Sequence, residues 1–156
     1  MIRKVVQSDQ KISTHCFEYV DLSGNTVTRR IQKGILIFVN RAPIIWHINR
    51  QNTVKASTNG SEIVAMKNVV ELIEALRYKL HMLGVPINGP TNIFCDNEAV
   101  TKNCPDPTSM LKKKHHSIAY HRNREAVDAG TCRITKEDAD TNLSDLFTKL
   151  LSQIRR

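Results

Sequence analysis

Between Glu62 and Leu83 apolar residues recur at alternating steps of three and four, at Ile63, Met66, Val70, Ile73, Leu76, Leu80 and Leu83. This is the spacing of one face of an α-helix. Val69 and Leu72 widen the stripe beyond a narrow coiled-coil seam, so the helix is expected to lie on a sheet. Ser57, Thr58 or Ser61 can cap its start, and Gly84 followed by Pro86 stops it. Upstream, residues 14–20 read as a first strand closed by a turn at Ser23, Gly24 and Asn25. Residues 31–40 and 43–49 are rich in β-branched and aromatic side chains and are joined by two residues, Arg41 and Ala42. Links this short imply an antiparallel meander.

Downstream of the helix, residues 91–95 form a short buried strand ending at Asp96, and the following NEAVTKN is a brief helix. Pro105 and Pro107 break the chain there. A helical stretch over residues 108–129 ends at Gly130, residues 131–137 make a final strand, and a last helix starts near Thr141. Leu143, Leu146, Phe147, Leu150 and Leu151 give that helix a one-sided apolar face, which must pack on something. The order is three strands, helix, strand, helices, strand, helix. It predicts an α/β domain over residues 12–156, with a mixed five-stranded sheet, an antiparallel three-strand meander and flanking helices. Residues 1–11 carry little pattern and are expected to form a loose extension.

Composition narrows the partners more than the fold. The longest apolar run, residues 35–39, is far short of a bilayer span, and the first ten residues lack a signal-peptide core. No membrane partner and an intracellular location are expected. Cys16, Cys95, Cys104 and Cys132 contain no CxxC pair and read as reduced core thiols; the spacing of Cys104, His115, His116 and Cys132 is too irregular for a known zinc motif. Lysine and arginine number 23 against 15 acids, a formal charge of +8 that favours polyanionic partners. Lys112, Lys113 and Lys114 run into His115 and His116, with Arg122 and Arg124 following, a pattern that serves a solvated helix face or a phosphate grip.

Four acids sit at the ends of predicted elements: Asp21 after the first strand, Glu62 opening the long helix, Asp96 ending the buried strand and Asp145 in the first turn of the last helix. Each alone has a structural explanation, because acids favour helix amino termini and Asp96 could cap the short helix. Together they match what phosphodiester displacement by two hard divalent ions requires, several carboxylates converging from separate elements.

The blocks TVTRR, GILIFVNRAPIIW, RQNTV, STNGSEIVAMK, EALRYKL, FCDNEAV, LKKKHHSIAYHRNREAV and TNLSDLFTKLL occur in one order across residues 16–151. In this the chain resembles the ribonuclease H domain that ends the Pol polyprotein of copia-type LTR retrotransposons. The resemblance implies a ribonuclease H-like fold and an endonuclease that uses two Mg²⁺ or Mn²⁺ ions to hydrolyse the RNA strand of RNA–DNA hybrids. It also implies a reverse transcriptase domain as partner, and a cytoplasmic or nuclear retrotransposon particle as setting. Glu62 in GSE, Asp96 in CDN and Asp145 in LSD match the family's metal-binding carboxylates. Tyr19 stands where the family has the first aspartate of an Asp-x-Asp pair. Asp21, two residues on, is the candidate substitute, displaced by about 7 Å along the strand. The KEDAD segment before the last helix lacks the histidine that ribonucleases of this fold often carry there. Both departures imply weakened turnover. The resemblance further assigns Asn25, Asn97 and Asn142 as contacts to the hybrid, and Lys112, Lys113, Lys114 and Arg122 as phosphate contacts. A non-catalytic nucleic-acid-binding or interaction domain, from a decayed or host-reused element, stands as the alternative.

Overall fold

The computed structural model describes residues 11–21, 32–50, 58–104, 117–138 and 143. Among them β1 (Thr14–Asp21), β2 (Gln32–Val39) and β3 (Ala42–Arg50) precede helix α1 (Thr58–Met82). Then follow β4 (Thr91–Cys95), α2 (Glu98–Asn103), α3 (Ser117–Asp128) and β5 (Cys132–Lys136). The described strands form one mixed sheet in the order β3-β2-β1-β4-β5. The first three are antiparallel, while β4 pairs parallel with both β1 and β5. The expected mixed five-stranded architecture is therefore present. Apart from Leu143, the last predicted helix lies outside the described residues, as do residues 105–116.

Cys16, Ile35, Ile37, Ile93 and Cys95 project from alternate positions of the central strands into a core shared with Ile63, Met66, Val69, Val70 and Ile73 of α1. The period-two and period-3.6 patterns thus meet on one face of the sheet. Phe17 stacks on Phe94 and meets Phe38 edge-on, on the opposite face. That side continues onto the edge strand β3, where Trp46 is 66% exposed between the exposed Ile44 and Ile48.

Three local expectations change. Val39 pairs with Ala42, so the β2–β3 link is Asn40 and Arg41, not Arg41 and Ala42. Asn40 takes φ 55°, as a tight hairpin turn demands, and Ser13 holds it there: the Ser13 N–H donates to Asn40 Oδ1 at 2.9 Å and the Asn40 N–H to the Ser13 carbonyl at 2.8 Å. Helix α1 starts at Thr58, which puts Ser61 inside it and Glu62 beyond its first turn. The helix-dipole explanation for Glu62 therefore falls away, since that field is confined to the terminal turn. At the other end Leu83 is exposed rather than core, because a 25-residue helix is about 37 Å long and overhangs the five-residue strand β4. Gly84 and Gly130, with φ of 71° and 68°, close α1 and α3 as left-handed caps.

Helix α3 docks on α1 through buried polar contacts. Asn123 is 0% exposed, and its Nδ2 donates to the Ile63 carbonyl at 3.0 Å; Arg122 pairs with Glu74 in the same interface. Asn123→Ala is expected to lower unfolding free energy by about 0.5–1.5 kcal/mol, the range for one lost hydrogen bond, since the Ile63 carbonyl keeps its place in the α1 ladder. Urea titration followed by circular dichroism measures this, and an unchanged midpoint would mean that the bond contributes nothing. No helix among the described residues is long and apolar enough to cross a membrane.

Candidate active site

The parallel strands β1 and β4 run side by side beneath the first turns of α1, and here the described acids gather. Asp96 follows the last residue of β4 and is half-buried. Glu62 is only 8% exposed, and its Oε2 has no hydrogen-bond partner. Burial, followed by the nearby charge of Asp96, pushes the Glu62 carboxyl up from 4.5 to about 7. Two carboxylates from separate elements thus repel each other at a buried edge of the sheet, and a cation placed there would relieve both. Among the described residues no three histidine, cysteine or acidic side chains already converge as a ligand group.

The raised Glu62 carboxyl has a measurable consequence. Its proton is held more tightly in the folded chain than in the unfolded one, so its stabilising contribution is complete below pH 4.5 and is lost as pH rises through about 7. The shift corresponds to about 3 kcal/mol as an upper bound. Urea midpoints are expected to fall between pH 5 and 8 in the metal-free protein, and Glu62→Gln should flatten that slope. A wild-type profile as flat as the variant's would show that Glu62 titrates normally.

A further acid lies here that sequence patterning passed over. Glu18 is 1% exposed and shares strand parity with the buried Thr14 and Cys16, on the α1 side of the sheet. It pairs in register with Ile35 on one side and Cys95 on the other. The signal was present in the sequence, since an acid falls on the apolar parity of a strand, but that parity becomes meaningful only once the buried face is known. The β1–β2 ladder runs without a shift from Thr14↔Val39 to Asp21↔Gln32.

The other predicted contacts divide. Asn97 caps α2, its Oδ1 accepting the Val100 N–H at 3.0 Å, so the cap is Asn97 itself and not Asp96. The guanidinium of Arg122 pairs with Glu74 and lies 3.6 Å from Glu125, which commits much of its charge to the α1–α3 interface. Asp145, Asn25, Asn142, Lys112, Lys113 and Lys114 lie outside the described residues. All four cysteines are buried free thiols. Burial pushes each of them up, with Glu18 adding to the effect at Cys16, Cys95 and Cys104.

No family model matches the chain. Curated relatives do. The chain is 27% identical over 143 residues to the retrovirus-related Pol polyprotein from transposon RE2 of Arabidopsis thaliana, covering 92% of this chain and 10% of that protein. It is 28% identical over 142 residues to the corresponding polyprotein of transposon RE1 of the same plant, covering 91% and 10%. The polyprotein of transposon TNT 1-94 of Nicotiana tabacum is 24% identical over 131 residues, covering 84% and 10%. The chain thus spans about a tenth of the length of the curated relatives it matches.

Among solved structures, the N-terminal RNase H domain of Rv2228c from Mycobacterium tuberculosis superposes with a TM-score of 0.61 at 12% identity, covering 88% of this chain and 91% of that one. LC11-RNase H1 in complex with an RNA/DNA hybrid gives 0.61 at 10% identity, covering 87% and 92%. The prototype foamy virus protease–reverse transcriptase gives 0.55 at 12% identity, covering 91% of this chain and 21% of that one.

Proposed function

We propose that this chain, whose relatives are retrovirus-related Pol polyproteins of copia-type transposons and whose fold is that of ribonuclease H domains, hydrolyses the RNA strand of RNA–DNA hybrids with divalent metal ions. The observation that carries the reading is the pairing of Glu62 with Asp96, two mutually repelling carboxylates brought from α1 and β4 to one edge of the sheet. The donor set fits Mg²⁺ or Mn²⁺, since both residues offer hard oxygen ligands and one oxygen of Glu62 is buried without a partner. Bound divalent ions would supply charge neutralisation at the scissile phosphate and an activated water.

The chain's own residues do the rest. Glu62 and Asp96 hold the cation site, with Asp145 of the LSD motif as the third acid from the last helix. Lys112, Lys113 and Lys114 bind phosphate oxygens without reading bases, and the polar side chains of Asn25, Asn97 and Asn142 approach 2′-hydroxyls. A reverse transcriptase domain of the same polyprotein supplies the hybrid. Turnover is slow, because Tyr19 replaces the expected first acid and the KEDAD segment has no histidine.

Binding and cleavage of a labelled RNA–DNA hybrid test the proposal. Neutralisation of phosphates by the three lysines predicts that affinity falls about 40-fold between 50 and 200 mM salt, with little dependence on base sequence. Cleavage of the RNA strand should require Mg²⁺ or Mn²⁺. A flat salt response would remove the phosphate grip, and absence of cleavage with either metal would remove the enzyme. The residue at position 19 favours a second reading, a non-catalytic binding domain. That reading predicts hybrid binding without cleavage in the native chain, and cleavage appearing only in Tyr19→Asp.

A further inference from the structure

We propose that the groove at the carboxyl end of α1 binds a nucleoside 5′-monophosphate, either free or as the 5′ end of a single strand. The groove is a cavity of about 380 Å³ lined by Arg77, Tyr78, His81, Val85, Pro86 and Ile87. That volume falls within the range of small-ligand sites, and an apolar floor with a few polar groups is their usual lining. Arg77 follows Glu62 on the same helix at a distance of about 22 Å along its axis. Thr91, which Arg77 contacts, opens β4, whereas Asp96 follows its last residue. The groove and the candidate active site therefore stand at opposite ends of the parallel strands, and the proposal does not rest on hydrolysis.

The cationic part is fixed before any ligand arrives. Arg77 Nη1 donates to the Gly89 carbonyl at 2.9 Å and to Thr91 Oγ1 at 3.3 Å. Thr91 Oγ1 in turn lies 2.6 Å from Thr14 Oγ1, and both threonines are buried. One nitrogen thus anchors the guanidinium to the sheet, while Nε and Nη2 keep donors for a planar oxyanion. Among the described residues no carboxylate pairs with Arg77, and Glu74, one turn earlier, is taken by Arg122. A half-buried arginine without a counter-ion, followed one turn on by the exposed His81, favours an anion. The carbonyls that end a helix oppose one, but those of Lys79, Leu80 and His81 accept from the N–H groups of Leu83, Val85 and Gly84.

The rest of the groove supplies a stacking surface. Tyr78 is 66% exposed, an aromatic ring left in water next to the arginine. Its face suits a base, because stacking on an aromatic side chain needs no particular base identity. Val85, Pro86 and Ile87 are held in place by the incoming chain: the Ile12 N–H donates to the Pro86 carbonyl at 3.0 Å, and the Asn88 N–H to the Ile12 carbonyl at 2.7 Å. A floor pinned in this way needs little ordering on binding. The ring and the guanidinium together match a base and its phosphate, and the formal charge of +8 draws such anions to the chain.

The test is isothermal titration calorimetry of adenosine 5′-monophosphate into the full chain, with a chelator present so that no divalent metal bridges phosphate to the acids. Saturable binding is expected, with adenosine and inorganic phosphate each weaker by about tenfold or more. Tyr78→Ala should weaken the nucleotide by about fivefold or more, and Tyr78→Phe should keep native affinity, since the ring carries the contact. Arg77→Gln should weaken it by about tenfold. If circular dichroism shows that Arg77→Gln does not fold, the two variants at the exposed position 78 decide alone. A 5′-phosphorylated trinucleotide separates the sources: affinity no tighter than that of the mononucleotide supports a free-nucleotide site, and tighter binding that Tyr78→Ala weakens supports a strand end. Native affinity in Tyr78→Ala overturns the proposal, as does inorganic phosphate binding as tightly as the nucleotide. Absence of binding by both nucleotides overturns it too, and an acidic peptide that binds in their place would assign the groove to a protein partner instead.

Discussion

Asp96→Asn is expected to reduce metal-dependent hydrolysis of an RNA–DNA hybrid by about a hundredfold to a thousandfold or more. The scale is that of losing a preorganised electrostatic group at the reacting phosphate. An amide matches the shape of the carboxylate but brings no negative charge to hold a divalent ion. Asp96 lies past the last ladder residue of β4 and is only half-buried, so the fold should tolerate the change. Two accompanying readouts separate loss of chemistry from general damage. Hybrid affinity without metal should stay the same or rise, because one negative charge near the phosphates has gone. The Glu62 carboxyl should also move part of the way back from about 7 towards 4.5, since Asp96 is the second cause of its shift and burial the first. Full activity in Asp96→Asn would place the chemistry elsewhere.

Ile37→Ala should cost about 2–5 kcal/mol of unfolding free energy, the range for truncating a fully buried aliphatic side chain whose cavity only partly collapses. Ile37 is 0% exposed and is held between Cys16 on β1 and Ile45 on β3, beneath α1. Domains of this size are stable by about 5–15 kcal/mol, so the variant would sit near its unfolding threshold. Trp46→Ala supplies the contrast: that side chain is mostly exposed on the edge strand, and its removal should change stability by no more than about 1 kcal/mol. Because Trp46 is the only tryptophan and is mostly exposed, the melts are better followed by circular dichroism than by its fluorescence. Equal costs at the two positions would mean that the core has been placed on the wrong face of the sheet.

Much of the architecture was legible in the chain because helix and strand periodicities are local. The stripe from Ile63 to Ile73, the short strand of residues 91–95 and the glycine stops at Gly84 and Gly130 each needed only neighbouring residues to be recognised. The order of these elements then implied the mixed sheet. Glu62 and Asp96 were legible as well, each standing in a short block at the edge of an element, and the structure places them close enough to perturb one another. The assignments of Asp145, Asn25, Asn142 and the lysines at 112–114 rest on sequence alone.

What the sequence could not decide was which parity of β1 faces the helix, because side chains on a strand alternate with a period of two and either series can be the buried one until a partner covers it. The β1–β2 ladder and the position of α1 settle that choice, placing Thr14, Cys16 and Glu18 inside. The same holds for Asn123, a polar residue whose burial follows only from the packing of α3 against the Ile63 carbonyl of α1. It holds too for Arg122, whose charge lies across the interface from Glu74, 48 residues away in the chain. The sequence by itself determined the elements, their order and two of the acids. The tertiary structure alone decided that Glu18 is buried with the apolar series of β1, because facing is a relation between distant segments and leaves no local period to read.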